Sequence, residues 1–374
     1  MTRMSATVVR HLAVGTVLAA SVSLVGCAHM GGLSKDGSHQ PYDTAEARLS
    51  AIRRAHVWAP TDVASMDLMA GPSGPGAFPP NAIVTCDYVD KKMGGTSPKF
   101  TCKIPPDDEL KVKFGADNGE VYAEVAASRL FWALGFGADH MYPVRVVCRG
   151  CPSTIEGTDI ASIQRKMPGR EIETSAGSGW AWGELDSVDP TTDGAPRAER
   201  DALKLLAVFM QHTDSKPEQQ RLICVGQHGA ANDEAPCAAP FMMVHDLGLT
   251  FGHASLFNRN SVSSVNLKEW SHTRIWKDPA RCVANLPKSL TGSLENPSIT
   301  EAGRQFLADL LLQLTDAQLH DLFDVARITH RTTATNRPAD ETTIDQWVDA
   351  FKQKRKDIVN QTCPGSPSSP RFAW

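Results

Sequence analysis

The chain has 374 residues, 41% of them hydrophobic, which is enough to bury a sizeable core in one large or two closely joined domains. Lysine and arginine number 38 against 42 aspartates and glutamates, a net charge of −4 at pH 7 with histidine neutral. No basic tract stands out, so a nucleic-acid partner has no electrostatic footprint here.

The first 27 residues read as an export signal. Arg3 and Arg10 give a positive start, and the apolar run LAVGTVLAASVSLVGC follows. The run is too short for a membrane-spanning helix with flanks, and it ends in small residues. Leu24-Val25-Gly26-Cys27 resembles a bacterial lipobox, whose cysteine becomes the acylated N-terminus. The expected partner of this end is therefore a membrane, reached through a lipid on Cys27. Ala28 rather than Asp follows the cysteine. By resemblance to known sorting rules this favours the outer membrane, facing the periplasm or the cell surface. Loss of residues 1–26 removes two arginines and leaves the remainder more acidic.

Eight cysteines remain beyond Cys27: Cys86, Cys102, Cys148, Cys151, Cys224, Cys237, Cys282 and Cys363. An even number in an exported protein reads as disulfides, with the pairing open from sequence. Neighbour pairing (86–102, 148–151, 224–237, 282–363) closes the shortest loops and is the expectation. Cys148-Arg149-Gly150-Cys151 can also be read as a redox dithiol. Such a pair usually opens a helix, whereas Gly150 and Pro152 mark a turn, so a structural disulfide is expected.

Residues 27–80 read as a tether with one helix, TAEARLSAIRRAHVW, after which Pro60, Pro72, Pro75, Pro79 and Pro80 interrupt any pattern. Residues 81–180 read as a small antiparallel sheet with one helix. Its strands are AIVTCDYV (82–89), FTCKI, LKVKFG (110–115), MYPVRVVC and ASIQRKM. The helix is EVYAEVAASRLFWALGFG, with Ala127, Leu130, Phe131 and Leu134 at helical spacing. Residues 181–363 read as mainly helical. Ala202, Leu205, Leu206, Phe209 and Met210 form one stripe, APFMMVHDLGLTFG is an apolar strand ending in a turn, and 300–330 and 340–361 are amphipathic helices. Residues 364–374 are a loose Pro/Ser-rich tail.

Several residues, in this order, fit phosphoryl transfer, which needs a cation on the phosphates, carboxylates for Mg²⁺ and a group that positions the nucleophile. Gly94 and Gly95 lie in the turn between the first two strands, where a flexible backbone can cover phosphates, although hairpins use such turns routinely. Lys111 and Lys113 share one face of the third strand, and Glu120 and Glu124 share one face of the helix after it. The bland alternative is a surface ion pair of little worth.

In His212-Thr213-Asp214-Ser215-Lys216-Pro217-Glu218-Gln219, Asp214 can accept or orient a hydroxyl proton. Lys216 can neutralise charge on the transferred group. The alternative is a helix-cap cluster of Thr213, Asp214 and Ser215. Gln219 or its neighbour Gln220 offers an amide oxygen to Mg²⁺. Asp246, in the Asp-Leu-Gly that ends an apolar strand, offers a carboxylate, though Asp-x-Gly also occurs in ordinary turns. His228, Asp233, His245, Asp246, His253 and His272 lack zinc-site spacing, and no G-x-S-x-G is present.

Taken together, the chain resembles the protein-kinase-like fold in its atypical branch: HipA-type, CotH-type, secretory-pathway and phosphatidylinositol kinases. The resemblance is carried by residues 111–115, 124–135, 165–169, 214–222 and 246–252, and spans about 82–260. It implies an α+β, two-lobed protein-kinase-like fold, with a small antiparallel-sheet N-lobe bearing one helix and a mainly helical C-lobe. It also implies ATP and Mg²⁺ as cofactors. Lys113 and Glu124 would form the ion pair that grips the nucleotide, with Lys111, Gly94 and Gly95 beside it. Asp214 would be catalytic with Lys216, and Asp246 with Gln219 or Gln220 would hold metal. The acceptor would be a hydroxyl of a protein, lipid or glycan.

Thr213 stands where kinases carry Arg, Gln219 where they carry Asn, and the interval from Asp214 to Asp246 is long. The readings that follow are an exported phosphotransferase, a kinase-fold lipoprotein that only binds an envelope component, or a structural envelope protein.

Overall fold

Five strands of the first half close on themselves. A computed structural model describes residues 44–174, 177, 179–226, 237–252, 264–332 and 342–365. The stretch read as an export signal, Cys27, the tail beyond Gly365, and His228, Asp233 and His253 lie outside the described residues. Strands β1 (Ala82–Val89), β2 (Lys99–Ile104), β3 (Asp108–Phe114), β4 (His140–Arg149) and β5 (Ala161–Arg165) form a closed barrel in the order β1-β2-β3-β5-β4.

This corrects the expected all-antiparallel pairing, because β1 and β4 run parallel, from Ala82 opposite Val144 to Asp87 opposite Arg149. The reason lies in the connection. Hairpins force antiparallel neighbours, but helix α2 (Glu120–Ala133) carries the chain across, so β4 returns beside β1 in the same direction. Closure leaves no free edge. Phe100, Cys102, Leu110, Val112, Phe114, Val144 and Ile163 fill the barrel core. Alternation then turns Lys99, Lys111, Lys113, Ser162 and Gln164 to its outer face.

The stretch expected as a tether is packed in its described part. Helix α1 (Ala45–Arg53) is capped by the Thr44 hydroxyl, and Ala55, Val57, Val63 and Leu68 after it are buried. Prolines deny this segment regular structure, yet buried donors collect its carbonyls. Arg129 Nη1 donates to Leu68 O (2.9 Å), and Gln318 Nε2 donates to Val63 O (2.8 Å) and Met66 O (2.9 Å).

A second, antiparallel sheet joins β6 (Arg170–Glu171), β7 (Gln220–Cys224) and β8 (Pro240–Val244). Because β6 pairs with β7, and Trp180 and Trp182 are fully buried, residue 180 falls inside packed structure and not at a linker. Helices α3 (Arg197–Phe209), α4 (Leu267–His272), α5 (Glu301–Leu312), α6 (Asp316–Val325) and α7 (Ile344–Val359) follow, with a short β9–β10 pair (Trp276–Asp278, Val283–Ala284). The expected 300–330 helix is two, because the Thr315 hydroxyl starts α6 in a capping box with Gln318.

Helix α2 is apolar and buried nearly all round, which places it in the interior against β4 and α6. Phe209, Phe251, Trp270, Phe323, Trp347 and Phe351 form an aromatic cluster, with Phe209 and Phe351 rings 4.8 Å apart and Phe251 and Trp270 5.1 Å apart. The four disulfides are Cys86–Cys102, Cys148–Cys151, Cys224–Cys237 and Cys282–Cys363, the neighbour pattern. Among the described residues no helix is long and apolar enough to cross a membrane.

Candidate functional site

Lys113 is the penultimate residue of β3, and α2 begins seven residues after it. Asn118 stitches the two together: its side-chain amide donates to Phe114 O (3.0 Å), and its Oδ1 accepts from Glu120 N (3.2 Å). One helical turn separates Glu120 from Glu124, so both carboxylates face the lysine. Lys113 Nζ lies 2.6 Å from Glu120 Oε2, 2.7 Å from Glu124 Oε1 and 3.3 Å from Asp246 Oδ2. Lys113 is 1% exposed and Glu124 2%. Gly248 makes this convergence possible, since a Cβ there would sit 2.8 Å from Glu120 Cγ. The Gly248 amide also donates to Asp246 Oδ1 (3.0 Å).

Burial by itself pushes the Lys113 ammonium down, but the attraction of Asp246, Glu120 and Glu124 outweighs it and holds the group well above its ordinary value. Burial pushes Asp246 up, yet Lys113 and then Lys111 pull it well below the usual carboxylate range. Glu124 goes the other way: burial raises it well above that range, and Lys113 only partly opposes. The two carboxylates are thus driven in opposite directions, Asp246 towards its charged form and Glu124 towards its protonated one. Carboxylate oxygens of Glu120, Glu124 and Asp246 come within 4.8 Å of one another, and Glu124 Oε2 is buried with no hydrogen-bond partner among the described residues. This hard-oxygen set fits a divalent cation such as Mg²⁺.

Helix α3 delivers the second group. Gln211 turns the chain through a left-handed conformation (φ 56°), and the His212 amide closes on Ala207 O (2.8 Å). Asp214 Oδ2 then accepts from Lys216 Nζ (3.0 Å) and Gln219 Nε2 (2.8 Å), and Oδ1 from Thr291 Oγ1 (3.4 Å). Gln219 O accepts from the amides of His245 (2.7 Å) and Asp246 (3.2 Å), which ties this loop to the Asp-Leu-Gly turn. Thr213 N donates to Leu249 O (3.2 Å), and Phe251 N to Met210 O (2.7 Å). Phe251 anchors the turn in the aromatic cluster.

The structure thus gathers Lys113, Glu124 and Asp246 at one point and Asp214, Lys216 and Gln219 in the adjoining loop. Gln220 stands apart from both. It is buried at the start of β7, its amide donating to Ser215 O (3.3 Å). Lys111 acts on Asp246 and Glu124 through its charge. Gly94 and Gly95 sit in the β1–β2 hairpin, Gly95 in the left-handed region (φ 82°) and Gly94 facing open space.

Glu120, which helical spacing places beside Glu124, is a full member of the carboxylate set. Asp139 and His245 carry no role in the sequence reading. His245, which the sequence places among scattered histidines, has Nδ1 2.7 Å from Asp139 Oδ2. Buried Asp139 also accepts from Gln164 Nε2 (2.5 Å) and Met167 N (2.8 Å), clasping the barrel, its exit and the end of β8. Nothing local in the sequence links 139 to 245. A cavity of about 540 Å³, lined in part by Asn81, Arg145, Asp159, Arg327 and His330, opens elsewhere and shares no residue with these groups.

His212 is fully buried beside Trp182, and neither ring nitrogen has a hydrogen-bond partner among the described residues. Burial lowers it to about 4. The unfolded chain takes up this proton first as pH falls, so the stability is complete above about pH 6.5 and lost towards pH 4. His212→Phe should remove about 2–3 kcal/mol of the acid destabilisation between pH 7 and 4.5. Urea unfolding at the two pH values checks this, and an unchanged loss in the variant would refute it.

No known protein family matches the sequence, and no curated protein matches it significantly. Among solved structures the chain is similar to the Helicobacter pylori proinflammatory kinase CtkA, with a TM-score of 0.40 and 10% identity, over 76% of this chain and 95% of that one. A likeness this loose assigns no residues, and the functional reading rests on the geometry above.

Proposed function

We propose that the chain is an exported, lipid-anchored phosphotransferase of two-lobed, kinase-like architecture that moves a phosphoryl group from ATP to a hydroxyl on an envelope or extracellular protein, lipid or glycan. The observation that carries it is the buried Lys113 held by Glu120, Glu124 and Asp246, with the Asp214 loop hydrogen-bonded to the same turn. Lys113 binds phosphate oxygens, and Glu124 and Glu120 fix its position. Asp246, with Glu124, Glu120 and the Gln219 side chain, is the proposed holder of Mg²⁺, which when bound neutralises phosphate charge. Asp214 orients the acceptor hydroxyl and takes its proton as the new O–P bond forms and the bond to the departing ADP breaks, with Lys216 countering charge beside it. Cys27 supplies the anchor.

The test is thermal stabilisation of the full chain by ATP. It should require Mg²⁺, amount to about 2.7 kcal/mol at a ligand concentration 100 times Kd, and vanish in Asp246→Ala. Failure of the wild-type chain to bind any nucleotide sinks the proposal.

One observation favours a second reading, a kinase-fold lipoprotein that binds without catalysis. Asp214 already accepts from three side chains, Lys216, Gln219 and Thr291, which leaves its carboxylate well satisfied.

A further inference from the structure

The ladder sets three lysines on one small patch of the barrel. Lys99 lies directly opposite Lys113 across β2 and β3, and Ser162 directly opposite Lys113 across β3 and β5. The next row on that face is Thr101, Lys111 and Gln164. Like charges facing each other across a ladder are destabilising. Lys99 has the weaker share of the local carboxylates. Its nearest side-chain acceptor is the Ser97 hydroxyl, 3.3 Å from Nζ. Half-burial, then repulsion from Lys113, hold its ammonium below the ordinary lysine value, and Glu120 and Asp246 only partly compensate.

The β1–β2 turn closes over this lysine, since a Cβ on Gly95 would sit 2.7 Å from Lys99 Nζ. In the same two rows, the Ser162 hydroxyl and Gln164 Oε1 are buried without hydrogen-bond partners among the described residues, as is Glu124 Oε2 nearby. Buried polar atoms left unpaired are costly. Of these three, the Ser162 hydroxyl can donate to an anion held by the neighbouring lysines, whereas Gln164 Oε1 and Glu124 Oε2 are acceptors and suit a cation that accompanies it.

We infer that Lys99 is a phosphate-binding residue, and that the row Lys99–Lys113–Ser162 grips the polyphosphate part of a ligand. This rests on the nucleotide reading and deepens it: the ligand is a polyphosphate, and the charge of several phosphoryl groups is what the three lysines recognise. Lys113 is neutralised within the protein by its carboxylates, so Lys99 supplies the cation most available to the ligand. The Ser162 hydroxyl supplies a donor, and the Gly95 turn places backbone over the same spot.

Calorimetric titration of the full chain with inorganic tripolyphosphate, ATP and AMP, each with Mg²⁺, tests this in wild type, Lys99→Met and Lys99→Arg. Lys99→Met should weaken tripolyphosphate and ATP at least tenfold and leave AMP unchanged, and Lys99→Arg should recover most of the loss. Melting of Lys99→Met at or above the wild-type temperature, because a repulsion is removed, excludes misfolding as the cause. Binding of tripolyphosphate within twofold of wild type in Lys99→Met overturns the inference and leaves the phosphotransferase reading standing. Lys99-dependent tripolyphosphate binding without phosphoryl transfer to any acceptor does the reverse.

Discussion

Lys113→Met is expected to lower stability by about 3 kcal/mol and to abolish Mg²⁺-dependent nucleotide binding. Removing one member of a buried charge group leaves the others uncompensated, which typically costs about 3–5 kcal/mol. The lower end applies because the Glu120 and Asp246 side chains each retain 19% exposure. The melting temperature should fall by roughly 5–10 °C.

The pH dependence gives the cause. In the wild type, Asp246 is held well below the usual carboxylate range, chiefly by Lys113 against the upward push of burial. A group with a depressed folded value stabilises above about pH 4 and loses that contribution as pH falls further. The gap between Lys113→Met and wild type should therefore be widest near neutrality and close below about pH 4. Chemical unfolding from pH 7 to pH 3 measures it, and a gap that stays constant refutes the electrostatic account in favour of lost packing.

Asp214→Asn is expected to reduce phosphoryl transfer by about 10²–10⁴-fold, the usual contribution of a positioned general base, with ATP affinity unchanged. The substitution keeps the shape and an acceptor for Lys216 and Gln219, but removes the charge. Turnover and calorimetric affinity measured on one preparation separate the two readings. If the wild type binds nucleotide but transfers to no acceptor, and Asp214→Asn leaves the in-cell phenotype intact, the non-catalytic lipoprotein is the correct description.

Local pattern made part of this arrangement readable before any fold was known. Strand alternation puts Lys111 and Lys113 on one face, and helical spacing puts Glu120 and Glu124 on another, so a lysine–glutamate meeting needs only the short Gly115–Gly119 link. The parallel β1–β4 closure was not readable, because it depends on where α2 returns the chain rather than on either strand. Asp139 and His245 meet through two different sheets, and each alone looks like an ordinary loop residue. The stretch through Leu68 reads as linker from its prolines, and the donors that pin it, Arg129 and Gln318, come from distant helices. Lys99 carries no such signal, because its partner across the ladder is set by register, which the hairpin sequence leaves open.

The contact between Lys113 and Asp246 has a thermodynamic corollary. One carboxylate serves the ammonium at 3.3 Å, and the same carboxylate is the only Asp in the candidate cation set. A divalent ion drawn to Asp246 weakens the hold on Lys113, and a polyanion drawn to Lys113 frees Asp246. In the proposed nucleotide site the two ligands would be heterotropically coupled, each raising the other's affinity by the same factor. Such a site would favour a metal–polyphosphate complex over either component, and in an ion-rich surrounding it would discriminate against free metal and free phosphate alike.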